Sequence, residues 1–315
     1  MPHLEGEKTM PADAMRGVLS PVVTPFDAEL RPDTAAWLAH CRWLLSQECG
    51  LAIFGTNSEA NSLAVAERRS LLEAAFEAGL DPARMMPGTA SSAFPETVEL
   101  TKAAVAGGAA GVLMLPPFYY KNVSDDGLFA YYSEVIQRVG DARLRVYLYH
   151  IPPVAQVPIS LPLIERLLKA YPGTVAGIKD SSGDWENTRA MIVGFDDFAV
   201  FAGSEAFLLD TMRAGGAGCI SATANINPAA IHDVYANWQA ADADQRQAAI
   251  TDFRKSVAAF PMIPALKATI GLSTGERGWE RVRPPLTPLS DADLASLSQM
   301  LDGRGIAMRG RRDAA

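Results

Sequence analysis

Short apolar runs alternate with longer amphipathic segments along most of the chain, and this alternation restricts the fold more than any other feature. The runs with strand character are GVLSPVV (17–23), LAIF (51–54), RMMPG (84–88), GVLML (111–115), RVYLY (145–149), TVAGI (174–178), FAVFA (198–202) and GCIS (218–221). Strands that are apolar on both faces and are separated by helices indicate a parallel sheet covered by helices. The sequence therefore predicts an α/β fold.

The number of strand–helix units favours a closed barrel over an open sheet. Eight such units follow one another, and the first strand leads into TPFDAEL rather than into the glycine-rich turn of a dinucleotide-binding sheet. We predict a (β/α)8 TIM barrel with additional C-terminal helices. In this prediction residues 1–14 are a flexible leader, 15–228 the barrel core, 229–303 the last barrel helix and a helical extension, and 304–315 a flexible tail.

Composition argues against several classes of function. The net charge of −8 argues against nucleic acid or an anionic membrane as a partner, and no apolar run reaches the roughly 18 residues of a membrane span. The three cysteines form no close-set pair, and the four histidines are too scattered to bind zinc. We therefore expect a cytoplasmic protein that uses no metal and no other cofactor.

One lysine lies where a buried strand is expected to end. The stretch TVAGIKDSSG places Lys179 after an apolar run, and none of the other six lysines has such a position. An unpaired buried ammonium loses its hydration at a high cost in free energy, whereas active sites of barrel enzymes form at the C-terminal ends of the strands. Lys179 is therefore either a solvated strand-end lysine or an amine that chemistry requires.

Polar groups also follow other predicted strands. The turn GTNSEANSL offers backbone N–H groups and the side chains of Thr56 and Asn57 to a carboxylate, and Gly55 permits the tight turn. The fifth strand ends at Tyr149. Together with Lys179 these groups suit Schiff-base chemistry, because a neutral lysine attacks a ketone and a phenol relays protons.

These motifs resemble those of the dihydrodipicolinate synthase / N-acetylneuraminate lyase family of pyruvate-handling class I aldolases. The similarity extends over residues 17–301. It includes GTNSEANSL against the family's G-[ST]-T-G-E turn, YHIPP against its Y-N-x-P, GIKDSSGD around its Schiff-base lysine, and GAGCISATANINP near its end. The resemblance implies a small-molecule 2-oxo acid as substrate and a homotetramer built from tight dimers.

The resemblance also implies a role for each matching residue. Lys179 would form the imine with pyruvate or a pyruvate-derived moiety, Tyr149 would shuttle protons, and Thr56 would hydrogen-bond to that tyrosine. The turn at residues 55–57 would bind the carboxylate, and the backbone of Ile220 would line the opposite wall.

Departures from the family pattern bear on the substrate. Synthases have an arginine five residues after the motif tyrosine; here that position is Val154, which cannot make a bidentate contact to a carboxylate. His150 replaces an asparagine, and it is either a spectator or a contact to the distal part of the substrate. The tyrosine that crosses between subunits is Tyr119 or Tyr120, because PPFYYKNVS is one residue longer than the synthase pattern; Tyr120 is the preferred interpretation.

The leading functional prediction is a lyase or aldolase that cleaves or forms a C–C bond of a 2-oxo acid through an imine on Lys179. A dehydratase of a deoxy-keto sugar acid or related hydroxy acid would use the same imine. A 4-hydroxy-tetrahydrodipicolinate synthase is disfavoured by Val154. A non-catalytic ligand-binding barrel is the alternative from a different class.

Overall fold

Seven short strands form a parallel sheet in the computed structural model, which describes residues 14–304. The strands are β1 (Gly17–Ser20), β2 (Gly50–Leu51), β3 (Val112–Met114), β4 (Val146–His150), β5 (Val175–Asp180), β6 (Ala199–Ala202) and β7 (Gly218–Ile220). Their order is β2-β1-β7-β6-β5-β4-β3, and every pair is parallel. The predicted α/β class is confirmed. Apart from residues 14 and 304, the predicted leader and tail lie outside the described residues.

Twelve α-helices connect and cover the strands within residues 14–304. They are α1 (Thr34–Ser46), α2 (Val65–Glu77), α3 (Phe94–Ala106), α4 (Asp125–Val139), α5 (Pro152–Ala155), α6 (Leu161–Ala170), α7 (Trp185–Gly194), α8 (Leu208–Arg213), α9 (Pro228–Ala236), α10 (Ala243–Val257), α11 (Met262–Thr274) and α12 (Asp291–Gly303). Ser124, Ser160 and Ser290 cap the N-termini of α4, α6 and α12 through their hydroxyls. Gly140 and Gly275 end α4 and α11 in the left-handed conformation that glycine adopts easily.

The segment predicted as the third strand, residues 84–88, is not a regular strand, so the sheet has seven strands where the sequence predicts eight. Met85 and Gly88 form only isolated bridges, to Leu51 and Leu113 respectively. Pro87 lies between them and has no N–H to donate to a ladder, so a regular strand is interrupted there. The structure therefore shows a curled sheet of seven strands, with this segment bonded to both β2 and β3.

Side chains that alternate along the strands form two apolar clusters, one inside the curled sheet and one between the sheet and the helices. Tyr147, Tyr149 and Phe201 belong to the inner cluster, whereas Val146 and Leu148 pack outward against the helices. This period-two alternation is the normal geometry of a strand. As a result, alternate residues at the ends of the strands point into the mouth of the curled sheet, where the site was predicted.

The C-terminal helices pack onto this core. Helix α11 contacts the short helical turn Arg277–Glu280 and α12, and its residues 264–271 are buried. No single helix among the described residues has the length and apolarity to cross a membrane, although α10 and α11, bent by 103° at their junction, pass that test when taken together. Helices α9 to α12 all follow the last strand, β7.

Candidate active site

Lys179 is a buried amine near the C-terminal end of β5. It is only 3% exposed, so the interpretation as a solvated strand-end lysine is wrong. Within residues 14–304, no carboxylate forms an ion pair with its ammonium. Its nitrogen donates a hydrogen bond of 3.2 Å to the hydroxyl of Tyr149 and lies 4.3 Å from the centre of that ring.

The register of the sheet brings the amine and the phenol together. Tyr149 of β4 pairs with Lys179 of β5, which in turn pairs with Phe201 of β6, and paired residues of adjacent strands point to the same face. The Tyr149 hydroxyl is also 3.3 Å from Oγ1 of Thr56, and either atom can be the donor. An amine, a phenol and an aliphatic hydroxyl therefore form one hydrogen-bonded series at the inner face of the sheet.

The turn that follows β2 has an unusual backbone. Thr56 and Asn57 belong to a single helical turn, Thr56–Ser58, and the first N–H groups of such a turn have no partner within it. Phe54 and Glu59, on either side of the turn, have φ angles of +60° and +56°. Left-handed values are uncommon for residues other than glycine, and a bulky residue such as phenylalanine adopts them only where the surroundings require it.

A small cavity, partly open to solvent, lies beside Thr56 and Tyr149. Its wall consists of Phe54, Gly55, Thr56, Ala60, Asn61, Gly88, Ala90, Leu113, Leu115 and Tyr149. No ionisable residue other than Tyr149 contributes to this wall from the described part of the chain. An apolar wall with a few convergent polar groups is typical of small-molecule sites, and the described part of this wall offers no charged group to a ligand.

Ile220 and the two candidate tyrosines lie in very different environments. Ile220 ends β7, is fully buried and belongs to the inner cluster. Tyr119 and Tyr120 are 73% and 72% exposed, and their rings contact each other edge to face. In the described residues of this single chain, neither tyrosine hydrogen-bonds to Tyr149 or Lys179. The choice of Tyr120 over Tyr119 stays a prediction.

The two departures in the loop after β4 also have distinct surroundings. Val154 is exposed on α5. His150 follows Tyr149 along the strand and so points to the opposite face, where its Nδ1 accepts the backbone N–H of Ile159 at 3.0 Å. Burial lowers the pKa of His150, although the charge of Asp180 acts in the opposite direction. These contacts favour the spectator interpretation of His150.

A buried carboxylate that the sequence did not predict, that of Glu205, lies close to the end of β7. Glu205 accepts hydrogen bonds from Ser221 and Thr223, which follow Ile220 in the chain, and it forms an ion pair of 3.0 Å with Arg254. Burial raises the pKa of Glu205, whereas the charge of Arg254 lowers it. These contacts fix the loop that directly follows Ile220, the residue predicted to line the wall of the site.

A second unpredicted feature is a fully buried ion pair, in which Nζ of Lys267 lies 2.7 Å from the carboxylate of Glu59. Lys267 interrupts PALKATIG, a stretch of α11 that is buried at every position. A lysine within a helix that is apolar on all sides predicts a buried partner. That signal identifies Lys267 as unusual, but the sequence does not indicate which carboxylate pairs with it.

Comparisons with known proteins agree over nearly the whole chain. The model of the dihydrodipicolinate synthetase family matches residues 14–303. An uncharacterised DapA-like lyase from Chloroflexus aurantiacus is 34% identical over 285 residues, which are 90% of this chain and 94% of the relative. Crystalline dihydrodipicolinate synthase from Agrobacterium tumefaciens aligns with a TM-score of 0.84 at 34% identity, covering 93% of this chain and 99% of that one.

A further solved structure is similar over the same extent. YagE, a prophage protein of the dihydrodipicolinic acid synthase family from E. coli K12 in complex with pyruvate, has a TM-score of 0.84 at 25% identity and covers 92% of this chain and 99% of its own. The family match includes every described strand and helix, from β1 to α12, and the resemblance in the motifs is confirmed. Lyases of this family are carbon–carbon lyases of the class I aldolase type. The chain therefore belongs to the dihydrodipicolinate synthetase family and is a lyase of this type.

Proposed function

We propose that this lyase acts on a 2-oxo acid, either pyruvate or a compound with a pyruvate-derived end, through an imine on Lys179. The observation that supports this most is the series Lys179–Tyr149–Thr56, with hydrogen bonds of 3.2 and 3.3 Å beside a small cavity. A buried amine with no carboxylate partner among the described residues is costly for the fold. A role of this amine as the catalytic nucleophile would explain why the protein keeps it there.

In the proposed reaction, the neutral amine of Lys179 attacks C2 of the 2-oxo acid, and a C–N bond forms while the carbonyl oxygen takes up a proton. Loss of water gives the imine. In cleavage, the electrons of the C3–C4 bond pass into the imine to form an enamine, and the C4 hydroxyl loses its proton as the aldehyde leaves. Tyr149 is close enough to Lys179 to relay the protons of these steps.

The turn after β2 is the proposed site for the substrate's carboxylate. Thr56 and Asn57 offer the N–H groups at the start of a helical turn, and Gly55 precedes them. A carboxylate bound there would place the adjacent ketone near Lys179, because Thr56 is joined to that lysine through Tyr149. The pyruvate complex of YagE supports a 2-oxo acid as the ligand of a related site.

The residues around the distal part of the substrate bear on which reaction the enzyme catalyses and which second substrate it uses. We favour reversible C–C cleavage or condensation, and we keep dehydration of a deoxy-keto sugar acid through the same enamine as the alternative. A 4-hydroxy-tetrahydrodipicolinate synthase is less well supported, because Val154 replaces the carboxylate-binding arginine and the described residues of the cavity wall include no cation. The alternative function, a non-catalytic ligand-binding barrel, does not explain why Lys179 is buried.

The domain division, the oligomeric state and the location of the protein are also part of the proposal. We propose that residues 15–228 function as a (β/α)8 barrel with residues 229–303 as its last helix and helical extension. The exposed Tyr119 and Tyr120 fit a homotetramer in which Tyr120 reaches the site of a neighbouring subunit. A cytoplasmic location, without nucleic acid, membrane or cofactor, remains part of the proposal.

Deuterium exchange at the methyl group of pyruvate tests the function without knowledge of the partner. An enamine on Lys179 takes its C3 proton back from solvent, so pyruvate incubated with the protein in D2O is expected to lose its methyl proton signal in the NMR spectrum. Exchange no faster than in buffer would contradict the proposed function and favour a binding protein. Lactate, which has no carbonyl, is the control substrate and should not exchange.

A further inference from the structure

The ion pair between Lys267 and Glu59 joins two distant parts of the chain. Lys267 lies on α11 of the C-terminal extension, and Glu59 directly follows the helical turn after β2. Both side chains are 0% exposed, and Nζ lies 2.7 Å from Oε1. The second carboxylate oxygen of Glu59 accepts the backbone N–H of Arg283 at 2.9 Å. Both oxygens of this carboxylate therefore bind groups from the C-terminal extension.

Arg283 extends the same connection. Its guanidinium donates to the carbonyl of Ser62, just beyond Glu59, at 2.6 Å, and forms an ion pair with Glu67. The cations of Lys267 and Arg283 also lie over the ring of Phe26, at 4.3 and 4.8 Å from its centre. These contacts tie the chain that follows the turn to the C-terminal extension through two cations and an aromatic ring.

The backbone of the turn depends on Glu59. The N–H of Glu59 donates to the carbonyl of Thr56 at 3.1 Å, and the residue itself is in the left-handed region. Ser58 is fixed separately, because its carbonyl accepts the hydroxyl of Thr24 and its own hydroxyl accepts the N–H of Gly55. A non-glycine residue keeps such a backbone only when its surroundings over-determine it. The carboxylate of Glu59 makes the contacts that do so.

We propose that the Lys267–Glu59 pair is a positioning device that fixes the turn at residues 55–58 in the shape that binds a substrate carboxylate. The inference depends on the proposed function, since it concerns the same site. Stability alone is a poor reason to keep the pair, because replacing a buried ion pair by apolar residues of similar size is often neutral or even stabilising. Lys267 hydrogen-bonds to neither the amine nor the phenol of the site, so it acts through the turn.

The test compares two carbonyl compounds, one with and one without a carboxylate. Reduction with borohydride traps imines on Lys179, and mass mapping of the peptide that contains it gives the concentration of each compound for half-maximal trapping. Glu59→Gln keeps the volume and the acceptor for Arg283, and the double variant Glu59→Gln/Lys267→Met leaves no unpaired buried charge. For pyruvate, both are expected to raise the half-saturating concentration on the order of 10- to 100-fold; for acetaldehyde, they should leave it unchanged.

The comparison of the two compounds distinguishes a positioning role from a purely structural one. An unchanged value for pyruvate, or an equal shift for pyruvate and acetaldehyde, would overturn the inference. If the single Glu59→Gln variant does not fold, because it leaves the buried cation of Lys267 unpaired, the double variant decides. Arg213→Met, which removes an exposed ion pair with Asp244, is the matched control and should shift neither value. Absence of a pyruvate adduct in the unaltered protein would instead contradict the proposed function.

Discussion

Lys179→Met is expected to abolish deuterium exchange into pyruvate while leaving the protein folded. The substitution removes the only amine that lies within hydrogen-bonding distance of Tyr149 among the described residues. It keeps a long, unbranched side chain of similar size in the same space. Without an imine there is no enamine, so the exchange rate measured by NMR should fall to that of buffer.

The same variant also has an expected effect on stability. Lys179 is 3% exposed and its ammonium has no ion-pair partner in residues 14–304, so removal of the amine relieves a desolvation cost. We expect the free energy of unfolding in urea to be unchanged or higher by about 1 kcal/mol. Lys255→Met, at an exposed position of α10, is the control and should exchange normally. Substantial exchange by Lys179→Met would remove Lys179 from the mechanism.

Tyr149→Phe is expected to lower the exchange rate by roughly 10²- to 10⁴-fold, the usual contribution of a positioned acid or base. The hydroxyl is the link between the amine of Lys179 and the hydroxyl of Thr56. Its loss removes the proton relay but leaves the lysine and the turn in place. Half-saturation by pyruvate, measured by borohydride trapping at long incubation times, should therefore change much less than the rate.

Tyr147→Phe provides a matched control for this prediction. Tyr147 lies two residues before Tyr149 on the same strand and face, and its hydroxyl accepts the backbone N–H of Met15, which precedes β1. The control removes the same atom from the same cluster, so any general effect on packing is shared. A loss of exchange that is equal in the two variants would show that the Tyr149 hydroxyl has no relay role.

The strands and the strand-end position of Lys179 were largely predictable from local sequence. A buried strand is a short β-branched run, and Lys179 was conspicuous because a charged residue followed one. The strand predicted at residues 84–88 is irregular, because the apolar RMMPG run resembles a strand although Pro87 has no N–H to donate to a ladder there. Strand ends were also displaced by a few residues: β1 stops at Ser20, directly before Pro21.

Long-range electrostatic contacts were not predictable in the same way. Glu59 and Lys267 are separated by 208 residues, and no periodicity links a turn after β2 to a position in α11. Only the folded structure, in which both charges are buried side by side, shows that these two residues are partners. Burial lowers the pKa of Lys267 to about 8, although the charge of Glu59 opposes this shift. Sequence patterns show which residues are unusual, whereas the fold shows which of them are partners.

Imine formation on Lys179 is tested most simply by borohydride reduction in the presence of pyruvate, followed by peptide mass mapping. We expect a single reduced pyruvate adduct on the peptide that contains Lys179, and no adduct when that residue is methionine. Absence of an adduct on Lys179, or an adduct on another lysine with Lys179 unmodified, would contradict the imine mechanism.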